Sequence, residues 1–403
     1  MRCSSVAAVA GVLAIVTLTH AQATIQQAIQ QADSQSRFLA ETGGSAGYDN
    51  GFFIRQGDFV LKPGLHLQVR NVTDIRQNAK NDDATSTTNG FELRRARIDF
   101  AGNAFTPDLS YYLQIEFSRS TGAGSILDVW AKYKAAPACA IRAGQFKLPP
   151  FHEEIVSDKI QLAVERSLLN ATLGGGLTER VQGISLIYGD YRPDQPAYFE
   201  LVVHDGARSL NTDFTDAATN WGLAGRMELK LMGDWKNYQS FAARNLTADL
   251  VVLGAGADVS QGDGFTQYLM TVDGQYGNTS GLGAYAAGLG RMVDTRNALG
   301  DQSTFDWGLL LQASYELGPQ WQVFARWDWV HFENEQLNGQ RNMHELTVGV
   351  SHYLTAAAGP RAKVTVDLGY LPNGAPAPFL GQGVQGGTGD NEIYLRAQLN
   401  LAI

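Results

Sequence analysis

Cysteine is nearly absent from the 403-residue sequence, which contains only Cys3 and Cys139. Cys3 lies at the start of the chain, in a segment that we expect to be removed. Cys139 would then be alone, so no internal disulfide could form, and an exported protein of this kind needs another source of stability. A lone cysteine is also a weak basis for metal binding. We therefore predict neither a metal site nor a cofactor.

The sequence also lacks an apolar run long enough for a confident membrane-spanning helix. Its longest run, Val6 to Leu18, is shorter than the roughly 20 residues that such a helix needs. Arg2 precedes this run and Ala21-Gln22-Ala23 follows it, an arrangement typical of a secretory signal peptide. We predict a signal peptide over residues 1–23, and a retained anchor is the alternative.

Charged residues make up only 18% of the chain, and acidic residues exceed basic ones by 40 to 31. Removing residues 1–23 would take away Arg2 and no acidic residue, which makes the balance more negative. Nucleic acid is therefore not an expected partner. The 44 glycines and 10% aromatics favour a β-rich chain with many turns. No change in composition marks a linker, so we expect one large domain.

The most informative pattern is a two-residue alternation. From Ile393 to Ile403, apolar residues alternate with Tyr394, Arg396, Gln398 and Asn400, which gives a strand one apolar and one hydrated face. Leu109–Ser118 and Phe305–Leu317 repeat this pattern. Strands of this kind form barrels that face lipid outside and water inside. We predict an all-β fold, a transmembrane antiparallel β-barrel of about 16 strands over residues 51–403, in contact with outer-membrane lipid.

The predicted connections alternate between short turns on the periplasmic side and long loops on the outer side. The longest is the third outer loop, residues 148–180, which we expect to fold into the lumen. Within it, the spacing of apolar residues predicts a helix over Ser157–Asn170, and a lid or a trimer contact is the alternative to insertion. Residues 24–50 are polar and at most partly helical, either a periplasmic tether or a weak self-association segment.

Strand alternation also predicts which charged side chains face the lumen. In the segment that begins at Gly90, Ala96 and Ile98 belong to the lipid face, so Arg95 and Arg97 point inward. Lys132 and Arg142 have the same inward parity on later strands. A cluster of cations in a narrow passage attracts anions. The alternative is that these cations pair with nearby acidic residues such as Asp99, Glu116 and Asp128.

The segments Gly90–Gly102, Tyr112–Phe117, Ile141–Phe151 and Val164–Ser167 resemble the phosphate-selective porin O/P family. The resemblance implies a homotrimer of sixteen-stranded barrels in the outer membrane of a diderm bacterium, with the third loop narrowing each pore. The candidate residues that line the pore or bind anions are Arg95, Arg97, Lys132, Arg142, Lys147, Lys159 and Arg166. The third loop also carries four acidic residues, which disfavour strict phosphate selectivity: Glu153, Glu154, Asp158 and Glu165.

These observations predict a porin for passive diffusion of small hydrophilic solutes, with a preference for anions. A plugged structural barrel is one alternative, since Phe324 and Phe332 point inward. A barrel hydrolase is another, but His204, His331 and His344 have no partners at a recognisable catalytic spacing. We therefore predict no enzyme activity and no catalytic residues.

Overall fold

The computed structural model describes residues 44–49, 51–77, 85–174, 179–206, 210–213, 220–297, 300–336, 339–379, 381–387 and 390–403. The predicted signal peptide and most of the 24–50 segment lie outside these residues. Sixteen long antiparallel strands form a closed barrel, each paired with the next one along the chain. Closure comes from the last strand pairing with the first, for example Leu395 with Thr73. The predicted barrel is confirmed.

Two short strands precede the barrel: β1 (Gly44–Tyr48) and β2 (Phe52–Gln56). The barrel strands are β3 (Phe59–Gln77), β4 (Thr85–Ala104), β5 (Thr106–Phe117), β6 (Gly124–Ala136), β7 (Cys139–Lys147), β8 (Arg180–Tyr188), β9 (Ala197–His204), β10 (Gly222–Met232), β11 (Leu250–Gly262), β12 (Phe265–Gly277), β13 (Leu282–Asn297), β14 (Gly300–Gly318), β15 (Trp321–His331), β16 (Asn342–Tyr353), β17 (Ala362–Leu371) and β18 (Asp390–Ala402).

Side chains alternate between the outside and the lumen along these strands, as the sequence predicts. On β18, Leu395 is 47% exposed on the outer wall, whereas its neighbours Tyr394 and Arg396 are fully buried inside. On β14, Leu311 is 49% exposed and Leu310 is fully buried. A lipid-facing wall needs this apolar outer surface, and the closed ladder leaves no unpaired strand edge in the hydrocarbon.

The two ends of the barrel differ. We call the end where β3 begins and β18 ends the lower end, and the opposite end the upper end. Residues 148–179 and 372–389 connect strands at the upper end, whereas tight turns such as 137–138 and 319–320 lie at the lower end. Also at the upper end, β3 extends to Gln77 and β4 begins at Thr85.

Length does not alternate everywhere. Only two residues separate Asn297, the end of β13, from Gly300, the start of β14, at the upper end. At the upper end, β11 and β12 are joined by residues 263–264 alone. At the lower end, the long connection 233–249, which we call the lower segment, turns back into the lumen. There Trp235 and Tyr238 are almost completely buried.

Strands β1 and β2 form a hairpin outside the barrel ring. β2 pairs with the first residues of β3, with Ile54 opposite Leu61, below the point where β18 ends. The described part of the 24–50 segment, residues 44–49, thus contains strand β1, and the earlier part of that segment lies outside the described residues.

Among the residues that the structure describes, helical structure is limited to single turns. These are His152–Ile155, Asp158–Ile160, Asn170–Gly174, Trp235–Tyr238 and Gly359–Arg361. None of the helices within the described ranges is long and apolar enough to cross a membrane.

The outer face of β14 provides a test of the barrel's orientation toward lipid. Replacing Leu311 with Arg should destabilise the barrel by about 2–4 kcal/mol, because a cation at mid-membrane loses its hydration. Folding into lipid vesicles under increasing urea measures this cost. Gln114→Arg, on the lumen side of β5, is the matched control and should cost much less. Equal costs for the two variants would contradict the assigned faces.

Candidate functional site

Residues 148–179, which we call the inserted loop, fold into the lumen as predicted, but the predicted helix over 157–170 is wrong. Only the turn Asp158–Ile160 and the start of a second turn near Asn170 are helical there. The barrel wall supplies the hydrogen bonds that a helix would have made internally. Lys363 Nζ donates to the carbonyl of Gln161 at 2.6 Å.

Further wall side chains hold the backbone of the inserted loop. Asp367 accepts the amide of Val164 at 3.1 Å, and Arg326 donates to the carbonyl of Glu165 at 2.8 Å. Within the loop, Arg166 donates to the carbonyls of Glu153 and Val156 at 3.0 and 2.7 Å. Because these wall partners come from two strands, β15 and β17, the loop is fixed in one position relative to the wall.

One side of the inserted loop is apolar and packs against the wall formed by β12 to β18. Its fully buried residues Phe151, Leu168, Leu169 and Leu173 belong to one hydrophobic cluster. The wall contributes inward apolar side chains to the same cluster, including Leu269, Tyr285, Leu289, Leu310, Phe324, Val330 and Met343. The inward Phe324 and Phe332 thus support the inserted loop, and this sector of the lumen is filled.

The opposite side of the inserted loop is charged and faces β3 to β8. Glu165 is the first contact: Arg95 donates to both of its carboxylate oxygens at 2.9 Å, and Arg70 donates at 3.0 Å. Arg94 also pairs with Glu165. Three wall guanidinium groups therefore surround one loop carboxylate.

Asp158 is the second contact between the charged side and the wall. Its carboxylate pairs with Arg97 and Arg95 of β4, with nitrogen–oxygen distances of 2.5 and 3.2 Å. It also pairs with Arg166 of the loop itself. Lys159 extends this contact by pairing with Asp99 at 2.6 Å.

The arginines control the protonation of these loop acids. Burial alone would raise the pKa of Glu165, but Arg94, Arg95 and Arg70 outweigh it and lower the pKa well below its usual range. Arg166, Arg95 and Arg97 likewise outweigh the burial of Asp158 and lower its pKa. Both carboxylates are therefore held in the charged form that the ion pairs require.

Glu153 and Glu154 differ from the other two loop acids. Burial raises the pKa of both. Glu153 faces away from the charged side of the inserted loop and accepts hydrogen bonds from the amide and hydroxyl of Ser167 at 2.9 and 2.5 Å. Glu154 lies on the charged side of the inserted loop, with its Oε1 3.5 Å from Lys147 Nζ.

Two chambers flank the ion pairs of Asp158, each with a volume of about 220 Å³. The charged side chains that line the lower chamber are Arg97, Lys147, Lys159, Arg180, Asp128 and Asp158. Those that line the upper chamber are Arg94, Arg95, Arg166, Glu154, Glu165 and Glu179. Both chambers lie between the charged side of the inserted loop and the wall. We call these chambers and the ion pairs between them the charged path.

The structure gathers five of the seven predicted cations at the charged path: Arg95, Arg97, Lys147, Lys159 and Arg166. The other two lie toward the lower rim. Lys132 is opposite Arg142 and Ser110 in the sheet, and it pairs with Asp190 at 2.8 Å. Arg142 pairs with Glu200 and stacks on the ring of Phe146 at 3.8 Å.

Sequence reasoning missed Arg70 and Arg94. Arg70 has the same inward parity as His66 and Gln68 on β3, so alternation was a usable signal for it. Alternation gave no such signal for Arg94. Successive strand residues point to opposite faces, and its neighbour Arg95 already points inward. A bulge in the pairing of β4, where Val69 is opposite Leu93 and Gln68 opposite Arg95, turns both arginines toward the lumen.

The lower segment meets the inserted loop inside the barrel. The ring of Tyr238 stacks on the ring of His152, with centroids 3.9 Å apart and planes at 10°. Tyr238 is held in turn by Arg226, which donates to its hydroxyl at 3.0 Å, and it donates to Glu228 at 3.1 Å. The filled sector is thus occupied from both ends of the barrel.

The histidines considered for catalysis are engaged in structural contacts. His204 is fully buried, lies 3.0 Å from Asp258, and accepts the amide of Gly206 at 3.1 Å, so both ring nitrogens are occupied. His344 lies on the outer wall beside Trp327 and Trp329. No cluster of three or more metal-ligating side chains occurs within the described part of the chain.

Comparison with solved structures supports the fold. An anion-selective porin from Comamonas acidovorans is 13% identical, with a TM-score of 0.58 over 85% of this chain and 99% of the other. The trimer form of OmpT from Vibrio cholerae is 11% identical, with a TM-score of 0.55 over 84% and 99%. OmpF of Salmonella typhi in complex with daunomycin is 16% identical, with a TM-score of 0.53 over 89% and 100%. No curated protein sequence matches the chain.

The family described as phosphate-selective porin O and P matches residues 66–287, more than half of the chain. The chain belongs to this family. The matched region contains the inserted loop and every residue predicted for the site. This porin is therefore an outer-membrane β-barrel that forms a channel for solutes. Outer-membrane barrels have their longer loops on the outer side. The upper end is therefore the outer face, and the lower end is the periplasmic face.

The stacking of His152 on Tyr238 gives a test of how the porin holds its inserted loop. Tyr238→Ala removes the ring that supports the loop from below and leaves a cavity. We expect larger current fluctuations in single-channel recordings, because the loop then moves more. Tyr276→Ala, on the lipid-facing side of β12, is the matched control and should leave the recordings unchanged. Quiet recordings from a folded Tyr238→Ala variant would contradict this role.

Proposed function

We propose that this porin conducts small hydrophilic solutes passively along the charged path, with a modest preference for anions. The observation that carries the preference is the lining of the lower chamber, where four cations face two carboxylates. In a narrow passage with low-dielectric walls such an excess attracts anions. The upper chamber has three cations and three carboxylates, which keeps the preference modest.

The pairing of charges supports a modest preference for a second reason. Arg95 and Arg97 are already bound to Glu165 and Asp158, so only part of their positive potential reaches a passing solute. Strict selection of phosphate would favour unpaired cations on the inserted loop. The acidic residues of this loop oppose that, as the sequence indicated.

A plugged barrel is the alternative that one observation favours. The sector beneath β12 to β18 is packed with the apolar side of the inserted loop, and the lower segment fills it from the periplasmic side. In the proposed function this packing restricts solutes to the charged path instead of closing the barrel. We also propose that the porin carries out no catalysis, since His204 has no free ring nitrogen.

We further propose that the porin is a homotrimer, by analogy with the trimer form of OmpT from Vibrio cholerae. Residues 1–23 would act as the export signal, and residues 24–50 would lie on the periplasmic side. The outer wall supports contact with outer-membrane lipid, since exposed side chains such as Leu253, Met270 and Val348 are apolar.

The double variant Arg95→Gln, Arg97→Gln tests the proposed anion preference. Removing two cations from the charged path should lower the permeability of chloride relative to potassium, because the passage becomes less positive. Reversal potentials across a planar bilayer with asymmetric KCl measure the ratio, and a severalfold decrease is expected.

Arg192→Gln is the control for this experiment. Arg192 lies in a surface connection at the periplasmic end and pairs with Asp194, away from the charged path. Its replacement should leave the reversal potential unchanged. An unchanged potential in the double variant would contradict the assignment of Arg95 and Arg97, and a folded protein without conductance would favour the plugged barrel.

A further inference from the structure

Some polar groups that line the upper chamber form no hydrogen bond with the residues around them. Nδ2 of Asn170 is buried and has no hydrogen-bond partner among the described residues. Arg94 donates a hydrogen bond to Glu165 through Nε. No described side chain or backbone group accepts a hydrogen bond from the two terminal nitrogens of Arg94. The chamber thus offers amide and guanidinium donors to a solute, the groups that suit a carboxylate.

The same chamber offers a carboxylate, Glu154, that is ion-paired with Lys147 and Arg166 but has an oxygen without a hydrogen bond. The side chain of Glu154 is only 2% exposed, and its Oε1 accepts no hydrogen bond from the described residues, although Lys147 Nζ lies 3.5 Å away. A buried carboxylate oxygen without a hydrogen bond is unfavourable. An ammonium group, which carries three N–H donors and a positive charge, would satisfy it.

We propose that the upper chamber is a binding site for amino-acid zwitterions, with the carboxylate at Arg94 and Asn170 and the ammonium group at Glu154. This inference rests on the proposed channel function and names the class of solute that the charged path recognises. The balance of three cations and three carboxylates suits a ligand that carries both charges. A phosphate ion would be repelled by the carboxylates.

The size of the chamber agrees with this class. Its volume of about 220 Å³ is below the roughly 300–1,000 Å³ of pockets for drug-sized ligands. The lower chamber adds a second requirement, since its excess of cations favours a solute with net negative charge. Both conditions are met by an acidic amino acid, which has two carboxylates and one ammonium group.

Glutamate and glutarate provide a matched pair of probes. Both are five-carbon dicarboxylates, and they differ by the ammonium group of glutamate. Each is added to the outer side of purified porin in a planar bilayer, and the concentration that halves the KCl current is measured. We expect glutamate to act at about tenfold lower concentration than glutarate, the factor that one charge-assisted hydrogen bond contributes. A general anion site would favour glutarate, which has the larger net charge.

Two variants test the assigned contacts. Glu154→Gln keeps the shape of the side chain and should remove the advantage of glutamate over glutarate. Arg94→Gln should weaken both probes alike, and Arg70 and Arg95 still hold Glu165 in that variant. Asp190→Asn, at the periplasmic rim, is the control and should leave both concentrations unchanged.

Equal action of the two probes, stronger action of glutarate, or stronger action of inorganic phosphate would overturn the zwitterion site while leaving the channel function intact. An absence of conductance would instead contradict the proposed function. In that case calorimetric titration of the porin in detergent with both probes decides the inference separately. A preference for glutamate would support the site, and no preference would overturn it.

Discussion

The ion pairs between the inserted loop and the barrel wall are the contacts on which the rest of the structure depends. Arg95 binds Glu165 through two nitrogens, and Asp158 lies between Arg97 and Arg166. These groups are buried, so losing one partner leaves an uncompensated charge that costs about 3–5 kcal/mol. The loop therefore has one favourable orientation, with its acidic residues toward β4.

That orientation divides the lumen into two sectors of different chemistry. The apolar side of the inserted loop covers Leu310 and its inward neighbours on the far wall, which would otherwise face water. The charged side leaves space along β3 to β8, where ionisable groups are solvated by one another and by the passing solution. A single loop thus completes the core of the barrel and lines the path for solutes.

Much of this architecture could be predicted from the sequence, because strand alternation depends only on neighbouring residues. It placed Arg95 and Arg97 in the lumen and Ala96 and Ile98 on the lipid-facing side of the barrel. It could not place Arg94, since a bulge depends on the pairing of two strands. It also failed for the predicted helix at 157–170, whose backbone partners Lys363 and Asp367 lie about 200 residues away in the chain. The lower segment was missed because nothing local indicates that a connection turns inward.

The most direct test of this account is the position of the solute path within the barrel. Single cysteines can be introduced in a Cys139→Ser background at Gln114 in the lower chamber, Ala171 in the upper chamber, and Ala287 in the apolar sector. Each variant is exposed to a charged, water-soluble thiol reagent during current recording. Modification should reduce the current at Gln114 and Ala171 and leave it unchanged at Ala287. Block at Ala287 without any effect at the other two positions would contradict the account.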